Sequence, residues 1–573
     1  MARFLIGLLA GVLLVVLTLV VGVLLVARLS EKPPAIQANS VLVLDPEGEI
    51  PEKAPWTVPL PLFQAKAPLT MTDWWQLLRQ AESDSRIKAV AIMPGRVEAG
   101  WGKLYEFQTG LSRLTKTGKP VAAFLRMPSA REYYLATAAG KIHMSPEDML
   151  DLKGLRAELT FFRGTLEKVG VQVEIEHAGK YKDFGDMFTR SSMSTETREV
   201  LNSMLDVLYG DLVRAVGSGR RKSEDQVREM IDAGPFLARH ALDRGLVDSL
   251  VYEDQFFDEL AKQARVGRLA RLNPRDYLRS VSGEASAGRN RVAFVVGQGA
   301  IVRGSGGQFG QDSGIASGDF VKILRQVRDD KSIRAAVVRI DSPGGDAFAS
   351  DEIWREMNLL SKRKPVVLSM SDEAASGGYY IAMTGDPIVA YPGTFTGSIG
   401  VVFGKVNLRG LYGKLGITKE LLTRGQFAAI DSDYTPLSPA ARQKVKAGVD
   451  ENYRSFVQRV ADARKRKFEE VEPLAQGRVW LGVQAKERGL VDELGGLDRA
   501  FELVRERASI PRGEKLSILV YPPKRSLLER LLENPAPMGG APEWLQKFLS
   551  RWPASALGDG AYLRLMPYAV EVR

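Results

Sequence analysis

Residues 319–338 read DFVKILRQVRDDKSIRAAVV, and residues 73–92 read DWWQLLRQAESDSRIKAVAI, at a constant offset of 246. Each copy runs a helical pattern into a short apolar strand. The likeness continues outward. Upstream, residues 40–50 (SVLVLDPEGEI) resemble 291–301 (RVAFVVGQGAI). Downstream, the register slips by one residue where Lys119 meets Pro365 and is restored at Tyr133-Tyr134 against Tyr379-Tyr380. Further on, Arg244-Gly245-Leu246-Val247-Asp248 recurs as Arg488-Gly489-Leu490-Val491-Asp492. Self-similarity kept in order over about 200 residues marks a duplication. In the first copy, apolar strands at 89–92, 121–125 and 171–175 alternate with helical patterns, which predicts an α/β unit with parallel strands.

The duplication sets the expected domains. Residues 1–30 form an anchor, 40–264 the first α/β domain, 265–290 a linker, 291–510 the second α/β domain and 511–573 a C-terminal extension. The reading of 265–290 as a linker or surface-laid helix rests on seven arginines (Arg265, Arg268, Arg271, Arg275, Arg279, Arg289 and Arg291) set among Gly and Ser. In the extension, Trp544, Leu545, Phe548, Leu549 and Trp552 share one helical face between Pro542 and Pro553, a stripe suited to docked packing.

At the amino terminus, residues 4–27 carry no charge and are dense in Leu and Val. That length spans a bilayer as a helix, and no small-x-small cleavage site follows it. Arg3 on one side and Arg28 and Lys32 on the other leave orientation undecided by the positive-inside rule.

Composition excludes several function classes. The 573 residues are 45% hydrophobic and 26% charged, the balance of a globular protein. A net charge of +10 is scattered, with no basic stripe interleaved with aromatics, so no nucleic-acid partner is expected. The chain has no cysteine, and its three histidines (His143, His177, His240) are far apart in sequence. Thiol catalysis, disulfides and a cysteine or histidine metal site are therefore not expected, nor is any cofactor.

The chemistry lies where the copies differ. Residues 371–380 read SDEAASGGYY; an apolar run, Pro365 to Met370, leads in as a strand and Tyr379 to Met383 leads out with helical spacing, with Ser376 at the sharp turn between them. Such a turn displays its side chain and aims free helix-N-terminal amides at whatever docks there. The matching position in the first copy is Ala130. Asp341-Ser342-Pro343-Gly344-Gly345 is matched by the shorter Met93-Pro94-Gly95-Arg96, and Ser398 falls over Leu152. The reverse holds once, where Lys182 falls over Ala428. One composite site follows, with Ser376 as nucleophile from one half and Lys182 as general base from the other. A lysine serves as base only when neutral, so burial must lower its pKa by several units. Ser398 would orient the amine, and amides of Gly344, Gly345 and Gly377 would form an oxyanion hole. Each piece also has an ordinary reading: a helix N-cap for Ser376, a solvated lysine, a Pro-Gly-Gly turn, a turn hydroxyl. A histidine triad is the rival chemistry, and no histidine lies in the serine-bearing half.

Gly179-Lys180-Tyr181-Lys182 and Ala375-Ser376-Gly377-Gly378-Tyr379 resemble the two motifs of the signal peptide peptidase A family in its long, duplicated form. The resemblance covers the anchor and the body to about residue 510. It implies a Ser-Lys dyad serine protease with tandem domains folded like Clp protease and the crotonases, behind one transmembrane helix. It also implies a homotetramer acting on peptide substrates, remnant signal peptides cut in their apolar regions. The implied location is the bacterial cytoplasmic (inner) membrane, with the catalytic body on the periplasmic or extracytoplasmic side. Asp183 departs from the small residue expected after the lysine, and its carboxylate is expected to point away from the amine. A crotonase-like acyl-CoA enzyme and a catalytically silent membrane scaffold are the rival functions.

Overall fold

The computed structural model describes residues 35–54, 67–285, 289–305, 314–523 and 562–566, with isolated residues before 35. Its two halves repeat one sheet. In the first, the spatial order is Ala270–Leu272, Ser40–Leu44, Ile87–Ile92, Val121–Leu125, Lys141–Met144 and Ser249–Leu250, all parallel. In the second, Leu516–Tyr521, Asn290–Gln298, Ile333–Ser342, Val366–Ala375, Ile388–Ala390 and Glu493–Leu494 repeat that parallel order, and Phe395–Gly397 with its antiparallel neighbour Val479–Leu481 extends the sheet from the end of Val366–Ala375. The central strands are apolar almost without interruption because helices cover both faces of a parallel sheet. Helices Met71–Ser83 and Ser317–Asp329 each precede an inner strand at matching positions, and the first is held by a capping box between Thr70 and Asp73.

Two expected boundaries move. Residues 265–290 are not a free linker: they carry the edge strand Ala270–Leu272 and the helix Pro274–Ala285, whose Tyr277 is fully buried. The strand Leu516–Tyr521, in the expected extension, is its counterpart in the second half. Each repeat thus ends with a return strand beside its first strand. The sequence obscures this because an arginine-rich edge strand reads as linker.

A larger difference concerns the strand expected at 171–175. It forms as Gln172–Ala178, but it joins no sheet of its own half. It pairs antiparallel with Val401–Asn407 of the second half, from Gln172 opposite Asn407 to Ala178 opposite Val401. This small third sheet is completed by Tyr562–Leu565, which lies antiparallel between Val401–Asn407 and Gly344–Asp346. The halves also meet through the helix Trp101–Lys116. Asp372 accepts from the amides of Gly100 (2.9 Å) and Lys103 (2.8 Å) at its N-terminus. The Lys103 amine reaches Asp341 at 2.8 Å.

Among the described residues no helix is long and apolar enough to cross a membrane. The helix expected over 4–27 lies almost wholly outside those residues, and the stripe at 544–552 lies outside them altogether.

Candidate active site

The strand Val366–Ala375 ends at Ser376, and the helix Gly377–Ile381 begins immediately after it. Ser376 has φ 53° and ψ −111°, a conformation that costs a non-glycine residue about 1–3 kcal/mol and persists only when its surroundings fix it. They do: its amide donates to the Gly397 carbonyl and its carbonyl accepts from the Tyr380 amide, both at 2.8 Å. The hydroxyl caps no amide of the short helix, so it is free for another partner. A Cβ at Gly377 would lie 2.7 Å from Ser350 Oγ, and one at Gly378 2.6 Å from the Ser342 carbonyl. Only glycines let this turn pack so closely.

Lys182 reaches the turn from the other half. The strand Gln172–Ala178 delivers the chain alongside Val401, and Gly179, at φ 102°, turns it against the backbone of Gln476. The Lys182 side chain then passes between Gly400 and Gly477. A Cβ on Gly400 would come within 3.0 Å of Lys182 Cδ, and one on Gly477 within 2.6 Å of Lys182 Cβ. The amine ends 2.8 Å from Ser376 Oγ, 2.8 Å from Ser398 Oγ and 3.0 Å from the Ser398 carbonyl. Lys182, Ser376 and Ser398 have no exposed surface. Burial holds the amine well below the ordinary lysine range, and the nearby Arg564 guanidinium pushes it the same way. A neutral amine has two protons and one lone pair. Here two acceptors on Ser398 and one hydroxyl on Ser376 match that inventory.

Asp183 faces away from the amine. Its carboxylate accepts from the hydroxyls of Ser194 (3.0 Å) and Thr197 (2.5 Å) at the start of the helix Thr195–Arg220. Of the three glycines expected around the oxyanion, two converge. A Cβ on Gly344, at φ 101°, would fall 2.6 Å from the Gly377 amide nitrogen. Gly345 instead pairs with Ile301, where a Cβ would fall 2.0 Å from the Ile301 carbonyl. The histidines stay clear of this group. His143 is buried in the first sheet against Ser249 Oγ (2.7 Å), and His177 Nδ1 meets the Gly179 carbonyl (3.1 Å).

Sequence reasoning missed Arg564, Gly400 and Gly477. The two glycines belong to short turns with no distinctive pattern. Arg564 lies beyond the repeat, where no comparison between halves exists.

The sequence profile of peptidase family S49 matches residues 113–267 and 358–510. A chloroplastic serine protease SPPA of Arabidopsis thaliana is 35% identical over 447 residues, 77% of this chain and 66% of that one. Protease 4 of Haemophilus influenzae is 31% identical over 452 residues, 75% of this chain and 72% of that one. A solved ClpP1 mutant of Listeria monocytogenes overlaps 36% of this chain and 93% of its own, at 15% identity and a TM-score of 0.24, too slight an overlap to argue from. The class that the matches define is a serine peptidase. More narrowly, the chain belongs to peptidase family S49, in the long, duplicated form of signal peptide peptidase A.

Proposed function

We propose that the chain is a membrane-anchored endopeptidase that cleaves apolar peptides, remnant signal peptides among them, through a dyad of Ser376 and Lys182. The observation that carries this reading is the 2.8 Å approach of a buried lysine amine to a buried serine hydroxyl held at a strained turn. In acylation the neutral Lys182 amine takes the Ser376 proton as Oγ attacks the scissile carbonyl carbon. The ammonium then returns that proton to the leaving amine, and an ester to Ser376 remains. A water activated by the same amine hydrolyses the ester and frees the serine. Ser398 holds the amine by two contacts, so its lone pair stays aimed at Oγ. The Gly377 amide, at the start of the helix after Ser376, stabilises the developing oxyanion, where losing one donor typically costs about a hundredfold to a thousandfold in rate, whereas the Gly344 amide donates to Ser342 Oγ at 3.2 Å.

The rest of the proposal follows the family resemblance and the apolar run at 4–27. Residues 1–30 anchor the protein in a bacterial cytoplasmic membrane, the body faces the extracytoplasmic side, and four copies assemble. Each half takes the fold of Clp protease and the crotonases. Ser376→Ala and Lys182→Ala are each expected to abolish cleavage of a fluorogenic peptide while circular dichroism and the melting transition show a folded protein. Turnover retained by either variant overturns the dyad.

A further inference from the structure

The two strands that lead into the reacting centre lose their ladder just before it. Ile340 stands opposite Met370 and Ser342 opposite Ala374, so Asp341 alone faces Ser371, Asp372 and Glu373. A bulge of this kind leaves backbone groups unpaired and re-aims the side chains beyond it. What lies beyond is the site: Gly344 comes two residues after Ser342, and Ser376 two after Ala374. The seating of one against the other therefore depends on what holds the bulge, and side chains hold it. The Asp341 carboxylate accepts from the Glu373 amide at 3.1 Å. The Lys103 amine, reaching across from the first half, lies 2.8 Å from Asp341 and 3.5 Å from Asp372.

One cation thus serves two carboxylates, and a third acid stands beside them. Glu373 is partly buried and meets the charges of Asp341 on the neighbouring strand, Asp372 on its own and Lys103 on the helix Trp101–Lys116. Phe395, opposite it on the strand Phe395–Gly397, adds no charge. Behind the group, Glu52 acts on Lys103 and Asp341 but is already paired with Arg339. Burial first, then repulsion from Asp341 and Asp372, push the Glu373 carboxyl up to about 8 against the pull of Lys103. The copy without a nucleophile has none of these acids. At the offset of 246, Arg126 and Met127 stand for Asp372 and Glu373, and the turn Met93-Pro94-Gly95-Arg96 carries no carboxylate.

We propose that Glu373 is a positioning residue for the reaction, and that its proton keeps the bulge closed. Uncharged, Glu373 leaves Lys103 to hold Asp341 and Asp372 together, with the Ser376 turn seated against Gly344. Ionised, it sets three carboxylates around one amine. They separate, and the Ser376 hydroxyl leaves its line between Lys182 and the scissile carbonyl, where a shift of about 1 Å costs on the order of a hundredfold in rate. Resting on the Ser-Lys reading above, this deepens it by giving the site an alkaline limit that the dyad alone lacks, since a lysine base only improves as pH rises.

The test compares the full-length parent with Glu373→Gln and Glu373→Met from about pH 6 to about pH 9.5, using an uncharged apolar fluorogenic peptide. The Lys182 limb is common to all three proteins, so the ratio of kcat/KM, variant to parent, isolates Glu373. That ratio is expected to be flat below about pH 7 and to rise about tenfold by about pH 9, through kcat and not KM. A glutamate that only supports the fold would change activity by one factor at every pH, and such a flat ratio overturns the inference. Stability gives a second readout. Between the ordinary glutamate value of about 4.3 and about 8, the folded chain keeps a proton that the unfolded chain has released, so this group lowers stability as pH rises. The denaturant midpoint of Glu373→Gln is expected to gain on the parent's across that window, and a constant difference overturns the assignment. Should both variants fail to fold, the parent decides alone: kcat/KM falling above about pH 8 supports the inference, and kcat/KM still rising at about pH 9.5 overturns it. Labelling of Ser376 by an activated phosphonate keeps the two readings apart. A labelling rate with no alkaline fall in the parent sinks only this inference, whereas no labelling at any pH sinks the dyad beneath it.

Discussion

Lys182 is a lysine that the fold keeps from its proton. Its amine has no exposed surface and no carboxylate against it, because Asp183 is taken up by Ser194 and Thr197. The consequence for pH follows from its lowered pKa. Between that lowered value and the ordinary lysine value near 10.4, the unfolded chain carries a proton on this lysine that the folded chain lacks. Stability therefore rises with pH across the window, by up to about 1.4 kcal/mol per unit, and the penalty is complete below the folded value. Lys182→Met removes the effect. We expect its stability relative to the parent to be greatest at low pH within that window and to converge on it toward pH 10, as denaturant midpoints would show. The rise of kcat/KM with pH in the parent should share the lower edge of that window, and a slope unchanged by Lys182→Met would refute the assignment. The residue pair itself was legible in the sequence because a duplication is its own control. Where copies otherwise agree, Ser376 against Ala130 and Lys182 against Ala428 stand out as departures. Arg564 had no such control, and a glycine such as Gly477 announces a turn without saying what passes over it.

At the scale of elements, the strand Gln172–Ala178 decides whether a site exists. It leaves its own half and zips to Val401–Asn407 through seven residue pairs, which carries the chain to the turn at Gly179 that brings Lys182 to Ser376. Periodicity shows that such a segment is a strand but carries nothing about its partner, which lies more than two hundred residues along the chain. The default of pairing within the same α/β unit therefore failed here. The same limit applies to Ala270–Leu272, whose arginine and glycine surroundings hid a sheet edge. Ile175 sits opposite Gly404, in the middle of the crossing strand. Ile175→Pro fixes φ away from the extended strand value and misplaces everything downstream of it as far as the lysine. The two large parallel sheets do not include this strand, so we expect far-ultraviolet circular dichroism close to the parent's while kcat/KM falls by at least about tenfold. Parent-like activity in this variant would show that Lys182 is positioned by its turn at Gly179 and not by the strand.

At the scale of the whole molecule, both copies contribute residues to one buried cluster, and what joins them is partly ionic. Arg339 on a central strand of the second half is fully buried and pairs with Glu52 of the first at 2.7 Å. The guanidinium also donates to Ser369 Oγ (2.9 Å), Ser371 Oγ (3.1 Å) and the Tyr391 hydroxyl (2.8 Å). Tyr391 in turn donates to Glu106 of the first half at 2.5 Å, and Glu106 accepts from the Leu497 amide at 2.9 Å. The charge on Arg339 holds the Glu52 carboxyl below its usual range against the opposing effect of burial. This network ties the strand that leads into Gly344 to the segment 35–54, so docking of the halves and alignment of the site are one event. A buried pair costs much when broken and little when replaced whole, because a lone buried charge has nothing to offset its desolvation. Glu52→Gln should therefore lower the unfolding midpoint by the equivalent of about 3–5 kcal/mol. Glu52→Leu combined with Arg339→Met should recover most of that loss. Chemical denaturation of the three proteins, followed by tryptophan fluorescence, measures both steps. If Glu52→Gln unfolds at the parent's midpoint, the ion pair does not contribute to docking, and the halves are held by their other contacts, the Gln172–Ala178 pairing and the Lys103–Asp341 bridge among them.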